Sequence, residues 1–222
     1  MLHLTAPLIG TISYLNIPKK TLQTIPKPYI RAFSFLHNLA LHVFSLYIFT
    51  QLFTEVLREG PVAKPNYFCN KPHIYQLLFY FYLSKYYEYI DTMILYAKGV
   101  EPIFLQKFHH VGAVIVWHMA YVNKAECVFY ASLFNSAVHT VMYFYYLLSL
   151  FPNIKLYIKK YKIYITTLQL LQLTSGGTLM LVYFYPIESD LNRQIILLFD
   201  GYIFCLILMF LHFMLKNYIR LR

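Results

Sequence analysis

Six long apolar runs limit what this chain can fold into. Each run contains 21 to 25 residues, and together they cover 32–53, 74–96, 102–122, 127–151, 163–185 and 194–215. A helix needs about 20 residues to cross roughly 30 Å of hydrocarbon, so each run is long enough to span a membrane. The sequence therefore predicts an all-α polytopic membrane protein built as a six-helix transmembrane bundle or barrel.

The composition and the connections support this prediction. Apolar residues make up 59% of the 222 residues, whereas soluble domains contain about 45–50%. Residues 1–17 are apolar but short, which indicates a partial or re-entrant segment. Residues 18–28, PKKTLQTIPKP, are expected to form a linker that cannot hold a regular helix, because of their prolines. We therefore divide the chain into an N-terminal segment, 1–28, and a transmembrane domain, 29–222.

The net charge of +10 is distributed unevenly between the two sides of the predicted bundle. By the positive-inside rule the more basic side is cytosolic, which places the C-terminus in the cytosol and argues against nucleic acid as the partner. These cations orient the protein and contact anionic lipid, and a phosphate-bearing substrate on this side is a further possibility. The basic side collects twelve of the nineteen Lys and Arg residues: Lys19, Lys20, Lys27, Arg31, Lys98, Lys155, Lys159, Lys160, Lys162, Lys216, Arg220 and Arg222.

Three cysteines are too few for a disulfide framework. Cys69 and Cys127 fall at the non-cytosolic side, where a disulfide is chemically allowed, and the sequence leaves this pairing open. Cys205 lies in the middle of a span, where it is expected to act as a small buried apolar residue.

Ionisable and polar side chains interrupt the second and third spans. An ionisable group inside a bilayer costs about 2.5–3.5 kcal/mol, so such groups face a protein interior and indicate a site. A structural ion pair between Lys85 and Glu88, with two hydrogen-bonded core histidines, is the alternative. The side chains recur at helical spacing on one face of each span: Lys85, Glu88 and Asp91, then Gln106, His109 and His110.

The fourth and fifth spans carry similar stripes, His139, Tyr143 and Tyr146 on the fourth and Thr166, Gln169 and Gln172 on the fifth. Packing of the histidine and tyrosines, and interhelical hydrogen bonding by the glutamines, are the alternative interpretations. In the first span, His37 and His42 are five residues apart, which is poor spacing for a ligand pair, so we expect core histidines there.

The four polar stripes fall at similar depths. At a rise of about 1.5 Å per residue, all four lie roughly 5–18 Å from the cytosolic face. This convergence predicts a polar chamber that opens to the cytosol above an apolar half, which suits a molecule with a polar head and a long apolar tail. Histidine can act as nucleophile or base, and amide and phenol groups can donate to an oxyanion, so the chamber indicates acyl chemistry.

Read in chain order, these residues match the motifs of a known family. They form Lys85-x-x-Glu88-x-x-Asp91-Thr92, a box ending in His109-His110, Asn135 followed by His139-x-x-Met142-Tyr143-x-Tyr145-Tyr146, and Thr166-x-x-Gln169-x-x-Gln172. Over about residues 30–215 the chain strongly resembles the very-long-chain fatty acid elongases, the membrane 3-ketoacyl-CoA synthases of the endoplasmic reticulum. The resemblance implies condensation of a long-chain acyl-CoA with malonyl-CoA to a 3-oxoacyl-CoA, carbon dioxide and CoA, without a cofactor or metal. It also implies contacts with the ketoreductase, dehydratase and enoyl reductase of the elongation cycle.

The resemblance also implies roles for individual residues. His109 would take the acyl group as an acyl-imidazole, and His110 and His139 would handle protons or the thioester carbonyl. Gln106, Asn135 and Gln169 are implied donors to oxyanions, whereas the other polar residues would bind and position substrate: Lys85, Glu88, Asp91, Tyr143, Tyr146 and Gln172.

Two departures from the family pattern stand out. The histidine box begins with Gln106, where many members have histidine, and this resembles members that act on unsaturated chains. The family has seven spans, so residues 4–17 correspond to a truncated seventh, N-terminal span.

Two other functions fit parts of this pattern. Gln106-x-x-His109-His110 also resembles one metal box of di-iron lipid desaturases, but those enzymes need about eight clustered ligands. A membrane transporter would use the charged stripe as an ion pathway, but the polar residues occupy only the cytosolic half and no internal repeat is visible.

Overall fold

A computed structural model describes residues 4–62 and 64–219 of the protein, and ten α-helices run through them. Arg220 and Arg222, which the sequence analysis places on the basic side, lie outside the described residues, as do the first three residues of the N-terminal segment. The all-α class is therefore confirmed for the part of the chain that the structure describes.

The helix bounds follow the apolar runs closely. The helices are α1 Thr5–Leu15, α2 Lys19–Gln23, α3 Lys27–Glu59, α4 Pro72–Tyr87, α5 Tyr89–Ala97, α6 Phe104–Val122, α7 Cys127–Leu148, α8 Pro152–Ile158, α9 Lys162–Leu179 and α10 Asp190–Met214. A π-helical segment, Met180–Phe184, extends α9, and a second one, Leu215–Ile219, extends α10.

Three helical stretches are long and apolar enough to cross a membrane: Lys27–Glu59, Pro152–Phe184 and Asp190–Tyr218. The other three predicted spans also coincide with helices, namely α4 with α5, α6 and α7. That they cross the membrane, and that a short seventh span precedes them, remains a prediction.

Each long helix packs against two or more others. α3 pairs along its length with α7, which contacts α9; α9 packs on α10, α10 on α6, and α6 on α4. α4 and α5 return to α3, so these helices surround a common interior. Both helices bury small residues, Ser34 and Ser45 on α3 and Ser136 on α7, and small residues suit a close approach of two helix backbones.

The N-terminal segment departs from its predicted form. Residues 19–23 form the short helix α2, so the prediction that prolines keep 18–28 from forming a regular helix is wrong. Pro18 precedes α2 and Pro26 precedes α3, positions where proline is tolerated because the missing N–H has no helical partner. α1 packs against α6, and α2 packs against α5.

The end of the bundle opposite the basic side is closed by a buried carboxylate. Glu126, in the turn between α6 and α7, accepts from the backbone N–H of Phe68 at 2.8 Å and of Cys69 at 3.4 Å. Its own N–H donates to Glu188 at 2.7 Å. Burial raises the pKa of Glu126 to about 7, although the two backbone donors oppose the shift.

No disulfide forms at this end. Cys69 and Cys127 are both buried free thiols, and the Cys69 thiol faces the carbonyl oxygen of Ala125 at 3.9 Å. The pairing that the sequence left open is therefore absent, since each thiol is held in its own buried environment. Cys205, expected to be buried, is exposed on the surface of α10, so that expectation is wrong.

Candidate active site

A cavity of about 510 Å³ lies among α3, α5, α6, α7 and α9. It brings together polar side chains from all four predicted stripes. Nine of the twelve predicted site residues line it: Glu88, Asp91, Gln106, His109, His110, His139, Tyr143, Tyr146 and Gln169. The four stripes therefore converge on one chamber, as their depths suggested.

A much smaller crevice lies between α6, α7, α9 and α10 and shares His109 with the lining of this cavity. It measures about 30 Å³, room for one or two water molecules. Asn135 and Gln172 lie on its wall, and the remainder is mainly apolar, including Leu173, Met180 and Phe199. His109 lines both the cavity and the crevice, so its imidazole lies where a polar space meets an apolar one.

The helix is interrupted at Glu88, between α4 and α5, and this interruption positions the first charged pair. The N–H of Asp91 donates to the carbonyl of Glu88 at 3.0 Å, a tight turn between the two helices. Lys85 Nζ lies 2.8 Å from Glu88 Oε1, and the two side chains are 1% and 3% exposed. Glu88 Oε1 also lies 3.4 Å from His139 Nδ1, so the buried carboxylate links the ammonium to an imidazole.

Lys85 lines neither cavity nor crevice, although it was predicted to bind substrate. Its Nζ donates to Asn135 Oδ1 at 2.7 Å and lies over the rings of Phe81 and Trp117, at 4.2 and 5.2 Å from their centroids. Because an ammonium only donates, the oxygen of Asn135 must face it. The amide nitrogen of Asn135 is then left to face other partners, and the contact with Lys85 fixes which way this amide is turned.

His109 and His110 lie in the second turn of α6. The hydroxyl of Tyr202 on α10 donates to the carbonyl of His109 at 2.8 Å, which fixes the backbone at this histidine. Gly112, one turn further along, lies against the ring of Tyr202, and a Cβ atom there would collide with that ring. The close approach of α6 and α10 beside His109 therefore depends on glycine.

The N-terminal helix α1 reaches the site through Tyr14. The Tyr14 hydroxyl and Thr92 Oγ1 are 2.9 Å apart, and Gln106 Nε2 donates to the same Thr92 oxygen at 3.4 Å. The Tyr14 ring also packs beside His110, with centroids 5.9 Å apart. Sequence reasoning missed Tyr14, because a single tyrosine in a short apolar segment gives no signal of a long-range contact.

His37 is a second residue that the sequence analysis did not assign to the site. It is buried, as expected of a core histidine, but its Nε2 lies 2.9 Å from Asp91 Oδ1. Its neighbour Asn38 lines the cavity. The five-residue spacing from His42 concealed this role, because the two histidines work separately: His42 bonds the carbonyl of Thr140.

Three lysines lie at the cavity wall near the connections α5–α6 and α7–α9. Lys98, Lys155 and Lys162 line the cavity, and none forms an ion pair with an acidic side chain in the described ranges. Burial lowers the pKa of Lys98, and the neighbouring charge of Lys155 adds to this effect. The wall can therefore receive an anion.

Within residues 4–62 and 64–219, no three His, Cys, Asp or Glu side chains are arranged to hold a metal ion.

Comparison of the sequence with known proteins identifies relatives of this chain. The chain is 28% identical to fatty acid elongase 6 of Leishmania major over 97% of its own length and 60% of that protein. It is 32% identical to fatty acid elongase sre1 of Dictyostelium discoideum over 74% of its length, and 33% identical to very long chain fatty acid elongase 5 of Mus musculus over 82%; in each case 63% of the relative is covered. The chain thus spans about 60% of the length of these relatives. Residues 3–222 match the ELO family, described as GNS1/SUR4, and this chain is a member of that family.

Proposed function

We propose that this protein is a fatty acid elongase that condenses a long-chain acyl-CoA with malonyl-CoA to a 3-oxoacyl-CoA. The supporting observation is the position of His109, which lines both the polar cavity and the apolar crevice. A thioester bound with its tail toward the crevice and its CoA in the cavity has its carbonyl carbon beside this imidazole. The elongase names of the relatives support the same reaction class.

In the first half-reaction, the unprotonated nitrogen of His109 attacks the thioester carbonyl. The bond between carbon and sulfur breaks, and CoA leaves as the thiolate while the acyl group stays on the imidazole. Asn135 can stabilise the oxyanion in this step. Lys85 donates a hydrogen bond to the side-chain oxygen of Asn135, which leaves the amide N–H groups to donate to the oxyanion. His110 and His139, which line the same cavity, are available to protonate the departing thiolate.

In the second half-reaction, malonyl-CoA occupies the cavity and loses carbon dioxide. The electron pair of the broken bond forms an enolate, which attacks the acyl carbon and releases the imidazole of His109. The sum consumes one acyl-CoA, one malonyl-CoA and one proton, and it produces 3-oxoacyl-CoA, CoA and carbon dioxide. Gln106 and Gln169 line the cavity and are candidate donors to the thioester oxygen of the enolate.

We also propose which residues bind the CoA phosphates, where the protein is located and which enzymes act with it. The three cavity lysines, Lys98, Lys155 and Lys162, suit the phosphates of CoA, which would approach from the cytosol. The location is the endoplasmic reticulum membrane with a cytosolic C-terminus, and the partners are the ketoreductase, dehydratase and enoyl reductase that complete the cycle.

The test is mass spectrometry of purified protein after incubation with a long-chain acyl-CoA alone, followed by addition of malonyl-CoA. We expect an acyl adduct on His109 and then 3-oxoacyl-CoA, both lost in His109→Ala and both kept in the control His212→Ala, whose histidine lies exposed on α10. Product without an adduct would retain the condensation but refute the covalent step. Absence of adduct and product from the unmodified protein would refute the proposed function.

A further inference from the structure

A buried hydrogen-bonded cluster at the cavity wall joins three helices. Asp91 of α5 accepts at both carboxylate oxygens: Oδ1 lies 2.9 Å from Nε2 of His37 on α3, and Oδ2 receives the hydroxyl of Tyr143 on α7 at 2.8 Å. The His37 side chain is completely buried, whereas that of Asp91 is 18% exposed, toward the cavity that it lines. We propose that His37 is a positioning residue for the acyl-transfer site, acting through Asp91 and Tyr143. This inference rests on the proposed function.

The proton arrangement follows from the contacts. A carboxylate only accepts, so Nε2 of His37 must carry the hydrogen in the bond to Asp91. Nδ1 of His37 is buried and has no hydrogen-bond partner among the described residues. A proton on Nδ1 would leave a buried donor unsatisfied, so the tautomer with its hydrogen on Nε2 is favoured over the tautomer with its hydrogen on Nδ1. His37 is therefore a fixed single donor to Asp91.

The orientation of the His37 ring is determined by its neighbours. It stacks on Tyr87 with ring centroids 5.2 Å apart and meets the edge of Tyr143 at 6.3 Å. Phe33, one turn earlier on α3, stacks at 6.4 Å. Because three aromatic rings hold the imidazole, its N–H points at Asp91 without further cost in side-chain entropy.

The cluster reaches a catalytic candidate through Tyr143. Its ring packs edge-on against His139, with centroids 5.5 Å apart at 79°. When Asp91 holds the Tyr143 hydroxyl, this ring can neither rotate nor withdraw, and the imidazole of His139 keeps its place on the cavity wall. Loss of the His37 donor lets the Asp91 carboxylate turn toward the cavity. Tyr143 and His139 then lose their common anchor.

The experiment compares substitutions at His37 in the full chain, with kcat and KM for 3-oxoacyl-CoA formation measured separately. We expect His37→Leu to lower kcat about tenfold or more, the scale of a lost hydrogen bond to a charged group, with KM changed less than about twofold. The matched control is His42→Leu on the same helix. It removes a hydrogen bond to the Thr140 carbonyl without touching Asp91, and its kcat should stay near that of the unmodified protein.

Two polar substitutions keep the test decisive if His37→Leu does not fold. The amide nitrogen of His37→Gln stands as many bonds from Cα as Nε2 and can still donate to Asp91, whereas that of His37→Asn is one bond shorter and cannot. We expect Gln to retain kcat within about threefold and Asn to lose it as Leu does. Equal kcat in the Gln and Asn variants, or equal losses in the Leu variants at His37 and His42, would overturn the inference. An unmodified protein without turnover would instead overturn the proposed function.

Discussion

Lys85→Met tests whether the buried ion pair behind the site is required for folding. The Lys85 ammonium is 1% exposed, pairs with Glu88 at 2.8 Å and donates to Asn135 at 2.7 Å. Removing one member of a buried pair leaves the other charge unpaired, which costs about 3–5 kcal/mol. At about 2–4 °C per kcal/mol for a chain of this size, Tm should fall by roughly 6–20 °C.

The assay is thermal unfolding in detergent, followed by the fluorescence of Trp117. This is the one tryptophan of the chain, and its ring lies 5.2 Å from the Lys85 ammonium. Lys20→Met is the control, because Lys20 is exposed.

The double variant Lys85→Met/Glu88→Met removes both charges and should recover at least half of the lost Tm, while 3-oxoacyl-CoA formation stays low because Asn135 is no longer oriented. A Tm within about 2 °C of the unmodified protein in Lys85→Met, or no recovery in the double variant, would refute the argument.

Three further predictions follow from contacts described above. Tyr14→Phe should lower kcat several-fold and Tm by only about 2–4 °C, since it removes one hydrogen bond worth about 1 kcal/mol near the site; an unchanged kcat would contradict this role of α1. Gly112→Ala should lower Tm by about 2–12 °C through collision with Tyr202, whereas Gly201→Ala, which meets open space, should not. The pKa of Glu126 in the folded protein is about 7, above its usual value of 4.5, so protonation favours the folded state. Tm should therefore fall as pH rises from 5 to 8, and Glu126→Gln should flatten that dependence.

The sequence anticipated the parts of the site that repeat at helical spacing. Glu88 and Asp91, or His139 and Tyr143, stand three or four residues apart, so a single helix places them on one face. Because the polar faces of the four spans lie at similar depths in the membrane, they are expected to meet even when the tertiary contacts are unknown. This reasoning predicted the polar chamber before any packing of helices was known.

Contacts between single residues from distant segments could not be predicted in this way. Tyr14 meets Thr92 across 78 positions, and His37 meets Asp91 across 54, so no local pattern connects either pair. The role of Lys85 was also hidden, because spacing shows which face a side chain occupies but not whether it reaches the cavity or lies behind it. The helix α2 was missed because the prolines bound it rather than interrupt it.

The narrowness of the crevice beside His109 has an energetic consequence for the proposed reaction. A space of about 30 Å³ is too small for a long hydrocarbon tail, so any tail must first part the helices around it, at a cost that does not depend on tail length. Burial returns about 0.8 kcal/mol for each methylene, roughly a fourfold gain in affinity. If the proposed reaction holds, a fixed cost set against a gain that grows with length predicts a threshold: short chains should bind poorly, and each product should bind more tightly than the substrate it came from.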